Sequence, residues 1–480
     1  MTEWPSDTAS LKPELQTCDI LVKNGFVLTM DDSRRIYASG AIAITGRYIA
    51  AVGPEDEILA AWQGRRVLDA GGAPVHPGYL ETHLHIVHGT CRGVLEDMAG
   101  GSGQNVNFAD WKADVTSEDE HVASQLGCLE LLQHGFTAFV EPGTVFDSDS
   151  VAAAVESIGI RALLSGCYLW DQTEIMHYLG GLESQSLYDR APPTRDRCLA
   201  QLGAELSRNN DPNALVRGYV SLYGIGTASD EVLKAAKALA DEHRVVMHQH
   251  ESYTPSSAKA DRERLGRSRI SHLADLGVLG ENTTLIHMNV VPDEDVPTLV
   301  ESGTSIVWCP FSYLSMGISD ETRCRLPELY RQGVNVALGT DGTRESTVGA
   351  AALAAYLAAQ SARDPITAGN LLEMMTINAA RAAGLADLTG SLEPGKRADL
   401  VIRNRDAAAA WPGTNVVHQL AFQYGAGSVD TVLVDGQVVL RGGRSTRVDE
   451  RGIYQEAQAS VQGRMKRLGL AEHCEWPVHR

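Results

Sequence analysis

His83 and His85 stand two residues apart at the end of an apolar run. In a strand, residues i and i+2 point to the same side, so two imidazoles share one face there, a sound pair of metal ligands. A second cluster, Val246-Met247-His248-Gln249-His250-Glu251, also ends an apolar stretch. His248 and His250 share a face by the same rule, so spacing alone leaves the choice of ligand open. A neighbouring carboxyl group would suit proton transfer at a metal-activated water. His287 closes the run Leu285-Ile286-His287, and Asp341 closes Leu338-Gly339-Thr340-Asp341-Gly342. An Asp flanked by glycines can approach a metal closely. Taken singly, a buried histidine is more often a hydrogen-bonded core residue, and Asp-Gly is usually a turn. Their shared place at the ends of predicted strands points to one site.

Strands carrying such residues must be arranged side by side. Short apolar runs alternate with longer amphipathic segments through the middle of the chain. The candidates are 78–83, 136–140, 161–167, 216–221, 244–248, 284–287, 305–308 and 335–338. Residues 229–243 read as a helix capped by Ser229 or Asp230. Eight such units predict an α/β fold, a (β/α)₈ TIM-like barrel whose C-terminal rim carries the chemistry. A doubly wound sheet is the alternative, but no GxGxxG or GxxxxGK[ST] follows any strand. Short strands broken by Asn-Gly and Asp-Gly turns flank this middle on both sides. Neither end has enough apolar surface for a core of its own. Residues 18–77 and 389–445 are therefore expected to pair into one small composite β-sandwich domain around a barrel of 78–388. Residues 446–480 read as a C-terminal helix and tail that packs or meets another subunit.

The ordered set PGYLETHLH (77–85) with Cys91-Arg92-Gly93, His248-Gln249-His250-Glu251, His287, Gly339-Thr340-Asp341-Gly342 and GSLEPGKRADLVI (390–402) resembles the amidohydrolase superfamily. The likeness is to its branch of triazine hydrolases, methylthioadenosine/S-adenosylhomocysteine deaminases and guanine or cytosine deaminases. It implies His83, His85, His248 and Asp341 as metal ligands, with His248 taken over His250 because Glu251 follows it at the family's HxxE spacing. Glu251 would pass a proton to the substrate. His287 would hold the attacking water or developing oxyanion, and Asp341 would accept the water's proton. Binuclear members carry a bridging carboxylated lysine ending the fourth strand. Residues 215–221 contain no lysine, which favours one divalent metal, zinc by default, with iron and cobalt open. The implied reaction displaces an amine or similar leaving group from an sp² carbon of an N-heterocycle. The alternative is hydrolysis of an amide, urea, carbamate or thiocarbamate.

Two segments depart from the relatives. Where they carry His-x-Pro-Tyr, this chain has Ser221-Leu222-Tyr223-Gly224; where they carry His-Asn-Pro-x-Ser-Asn, it has Trp308-Cys309-Pro310-Phe311-Ser312-Tyr313. Tyr223, Trp308, Phe311 and Tyr313 are thus expected around a less polar substrate, with His88 and Arg344 on rim loops.

Of 480 residues, 44% are apolar and 21% charged, and the formal charge is -20. Such an acidic surface disfavours nucleic acid and anionic membrane as partners, which leaves a small molecule. There is no run long enough to span a bilayer and no signal-peptide pattern. Eight scattered cysteines without a CxxC read as reduced thiols. The expectation is a cytoplasmic homodimer or higher homo-oligomer.

Overall fold

A computed structural model describes residues 15–94, 108–179, 182–342, 349–471 and 476. Eight parallel strands alternate with helices. Four form one hydrogen-bonded run: Tyr79–Glu81, Phe136–Val140, Arg161–Leu164 and Val216–Gly218. After a break at Tyr219 the fourth strand continues as Val220–Gly224. It leads a second run through Met247–Glu251, Thr283–His287, Ser305–Trp308 and Val336–Leu338. The eighth strand returns to the first: Thr82 Oγ1 donates to Leu338 O (2.7 Å), and Asp341 N donates to His83 O (2.8 Å). The barrel is closed.

Inward side chains such as Leu80, Val140, Leu163, Val246, Ile286 and Val307 pack on the helix Ile377–Ala382, which plugs the end where the strands begin. The opposite rim is left for chemistry. The surrounding helices bury one stripe each. Asp230–His243 turns Val232, Leu233, Ala236 and Ala240 inward, and Ser229 caps it by accepting from Val232 N.

The fifth strand differs from its expected bounds. Arg244 sits in the left-handed region (φ 53°) as the cap of the preceding helix, and the strand runs Met247–Glu251 instead of ending at His248. The β-branched Val245 and Val246 made 244–248 look like a strand, whereas the helix still has to close there.

The two flanks of the chain meet in one nine-stranded sheet. Pro74–Pro77 is its seam, running parallel to Gln16–Leu28 and antiparallel to Leu400–Arg403. Val22, Ile42, Ile44, Val75, Leu400 and Leu433 share its core. The helix Glu450–Arg467 follows and packs on Ser117–His134. No helix among the described residues is long and apolar enough to cross a membrane. The seven described cysteines are free thiols.

Candidate metal centre

The first strand ends at Glu81, and the chain turns across the rim so that both His83 and His85 face the barrel axis. Glu81 holds this turn. Its buried carboxylate accepts from His83 N, Thr340 N and the Thr340 hydroxyl, which ties the first and eighth strand ends together. The two imidazoles lie with ring centroids 4.9 Å apart. Asp341 Oδ1 stands 3.3 Å from His85 Nε2 and 3.7 Å from His83 Nε2. Asp341 (φ 69°) and His287 (φ 76°) both adopt the left-handed region, as do Ile225 and Ser252 just after the fourth and fifth strands. Such backbone costs of order 1–3 kcal/mol per residue and gathers where side chains must be aimed.

The fifth strand supplies His250. Its ring is 4.7 Å from His83, 5.6 Å from His85 and 5.4 Å from His287. One donor atom from each of His83, His250 and His287 falls within 4.8 Å of the others. His248 is not in this group. Its Nε2 donates to Ala382 O (2.8 Å) on the plug helix, and its ring packs edge-on against Tyr219. Both histidines point inward, as their spacing requires, but His248 lies one layer deeper. Glu251 is on the other face of the strand, where alternation must put it. It pairs with buried Arg269 (3.2 Å), away from the barrel axis. The structure thus places His248 and Glu251 apart from the first-strand histidines: the HxxE spacing straddles two faces and two layers. Read from His250, the third position is Tyr253, whose ring lies 4.4 Å from His287.

Second partners decide which ring nitrogens are bare. A carbonyl only accepts, so His250 Nδ1 must donate to Tyr223 O (2.6 Å), leaving Nε2 without its proton. His85 Nδ1 meets Thr144 Oγ1 (3.0 Å), which donates in turn to Glu141. This relay orients a ligand imidazole in the way metal sites use. His83 is fully buried and neither of its ring nitrogens makes a hydrogen bond. An interior imidazole with no protein partner suits a bound cation. Burial pushes His85 down to about 4 and His287 to about 3, so both are neutral, the form that binds metal. Burial pushes Asp341 up. The adjacent His83 and His85 rings and the field of His287 outweigh it and hold the carboxyl well below its usual range. Three imidazoles, a carboxylate and a nearby His287 form a donor set suited to a divalent metal.

The remaining expected residues divide. His88 stacks on His85 (5.0 Å), and Tyr223 lies 5.3 Å from His250 and contacts Trp170 and Tyr168. Both border the site. Trp308 and Tyr313 do not line it. Trp308 belongs to the core outside the strands, because Cys309 is the residue facing in, with Sγ within 4.8 Å of a donor atom of His83 and Asp341. The Tyr313 hydroxyl donates to Thr322 O (2.5 Å). Phe311 is half-buried in the short helix Pro310–Ser315. Arg344 lies outside the described residues. Sequence reading missed Tyr168, Trp170, Cys309, Tyr253 and Lys112; alternation along 305–309 would have found Cys309.

With this geometry in place, the model of the amidohydrolase family matches residues 75–439. A 5-methylthioadenosine/S-adenosylhomocysteine deaminase of Symbiobacterium thermophilum is 30% identical, covering 88% of this chain and 93% of that protein. A 5'-deoxyadenosine deaminase of Methanosarcina mazei is 28% identical, covering 94% and 99%. Among solved structures, a zinc-bound adenosine deaminase from Xanthomonas campestris superposes with a TM-score of 0.80 at 24% identity, covering 94% of this chain and 100% of that one. An atrazine chlorohydrolase from Arthrobacter aurescens, complexed with zinc and atraton, gives 0.76 at 23% identity, covering 92% and 100%.

Proposed function

Because the chain belongs to the amidohydrolase family, we propose that it hydrolyses the bond between an sp² carbon of an N-heterocycle and an amine or similar leaving group. The relatives named as deaminases support this reaction class. The carrying observation is the convergence of His83, His85, His250 and Asp341 at the rim, with both ring nitrogens of buried His83 unpartnered. These four residues would hold one divalent ion, zinc first, with iron and cobalt open. When bound, the ion supplies Lewis acidity at neutral pH.

The chain's own residues do the rest. Asp341 is ionised and accepts the proton of the attacking water. The same carboxylate returns it to the leaving nitrogen, since Glu251 lies on the far face of its strand. Neutral His287 hydrogen-bonds the oxygen on which charge develops. Tyr223, Trp170 and Tyr168 form an aromatic wall that excludes water beside His250.

One observation favours the second reading, hydrolysis of an amide, urea, carbamate or thiocarbamate. Tyr253, not a carboxylate, stands three residues after His250. Attack on a heterocycle needs its ring nitrogen protonated, whereas an acyl carbon can be attacked without that step.

The test is metal analysis together with a product assay over heterocyclic amines, ureas and carbamates. Ammonia from the amines supports the first reading, and an organic amine from the ureas or carbamates supports the second. No product from any of them, with zinc bound, would sink both. His250→Ala is expected to lose the metal and His248→Ala to keep it; the reverse restores His248 as ligand. The free thiols among the described cysteines favour a cytoplasmic protein, and size-exclusion chromatography with light scattering would check the proposed homo-oligomer.

A further inference from the structure

The short helix Phe108–Ala113 brings a cation to the rim that the reaction above does not use. Lys112 is 4% exposed. Among the described residues its ammonium has no hydrogen-bond or ion-pair partner, and the contact it does make is with the Phe108 ring, 4.7 Å from the centroid. Phe108 sits edge-on to His88 at 5.6 Å, and His88 stacks on His85. The ammonium is thus two aromatic rings from a proposed ligand. Its charge acts on His85 and His88, and the charge of Asp341 acts on it.

A lysine normally snorkels its head to water. Here the backbone on both sides is clamped. Arg464 lies over the Trp111 ring at 3.8 Å and donates to Trp111 O and Asp114 O, while Arg190 donates to Ala113 O (2.6 Å). A buried ammonium with no acceptor among the described residues is costly, and the backbone around it is held by buried Arg464 and exposed Arg190. Beyond His250 the wall continues as Tyr223, Tyr168 and Trp170, surfaces that suit a planar ring.

We infer that Lys112 determines substrate specificity by binding a carboxylate or comparable oxyanion carried on the planar heterocycle that is attacked at the His83 cluster. This rests on the hydrolytic reading of that cluster. The substrate class is then an anionic aromatic heterocycle, in which the ring lies against the aromatic wall and the anionic substituent meets the ammonium.

The test uses the zinc-loaded full chain and two planar probes of the same shape, nicotinate and nicotinamide, in calorimetric titration. The wild type is expected to bind nicotinate about tenfold or more tightly than nicotinamide, the scale of one charge-assisted hydrogen bond. Lys112→Met should remove that preference with zinc content unchanged and thermal stability no lower. Lys112→Arg should keep part of it. A wild type without the preference, or a Lys112→Met variant that keeps it, overturns the inference. So does a variant that loses zinc and melts earlier, which marks a structural lysine. Lys112-dependent nicotinate binding in a protein that hydrolyses none of the amines, ureas or carbamates would instead leave this inference standing and remove the reaction on which it was built.

Discussion

Burial pushes the Lys112 ammonium down to about 8 from 10.5, against the pull of Asp341. The folded state therefore gives up its proton more readily than the unfolded chain. Below about pH 8 both states are charged and folding bears the whole cost of burial. Between about 8 and 10.5 the folded lysine is neutral and stability recovers with rising pH. Lys112→Met is expected to be more stable than the wild type at pH 7 by about 2–3 kcal/mol, with the difference shrinking at pH 10. Scanning calorimetry at the two pH values measures both. A residue that weakens the fold in this way is a mark of function. Glu251 is the opposite case. It pairs with Arg269 in the interior, so Glu251→Gln is expected to keep most of kcat while costing about 1–3 kcal/mol of stability. A variant that melts normally but has lost turnover would return Glu251 to the chemistry. The face that this residue occupies was legible in the sequence. The rule that put His83 and His85 on one face also puts Glu251 opposite His250, but the HxxE spacing masked it. The depth of His248 was not legible, because it depends on Ala382 in a helix far along the chain.

Elements were read more securely than their ends. All eight barrel strands lie where hydrophobic runs predict them, because strand and helix periods are local properties of the sequence. Their limits depend on partners: the fifth strand shifted toward Glu251 because its hydrogen bonds to Gly224 and His287 continue that far. The helix Glu450–Arg467 was legible as a helix, but its purpose was not. Its Arg464 reaches Thr90, Trp111 and Asp114, and Arg467 pairs with Asp114 and Asp119. Arg464→Ala leaves two interior carbonyls without their donor. A loss of roughly 2–4 kcal/mol is expected, together with faster amide exchange over 108–114 and little change at the strands. Hydrogen-exchange mass spectrometry separates that pattern from general destabilisation.

For the whole molecule, the question is what joins the barrel to the composite sheet. Arg161, at the start of the third barrel strand, pairs with Asp399 (3.1 Å) and Asp435 (3.5 Å), and Arg397 also pairs with Asp435 (2.9 Å). All four side chains are buried. Removing one partner strands charges in the interior. Asp399→Ala is expected to cost about 3–5 kcal/mol and to open the seam to limited proteolysis. An unchanged melting temperature would dismiss the network as a joint. The pairing of the two flanks was legible because neither could make a core alone. The charges at the joint were not, since no local pattern distinguishes Asp399 from a surface aspartate.

The clamp on Lys112 also bears on the order in which the protein becomes itself during synthesis. The eighth strand ends at Leu338, the helix that plugs the barrel ends at Ala382, and the composite sheet ends at Ser445. Arg464 leaves the ribosome after all three. A nascent chain can thus close its barrel and gather its histidines while the wall carrying Lys112 is still loose. Selectivity arrives after the barrel, with the helix that carries Arg464.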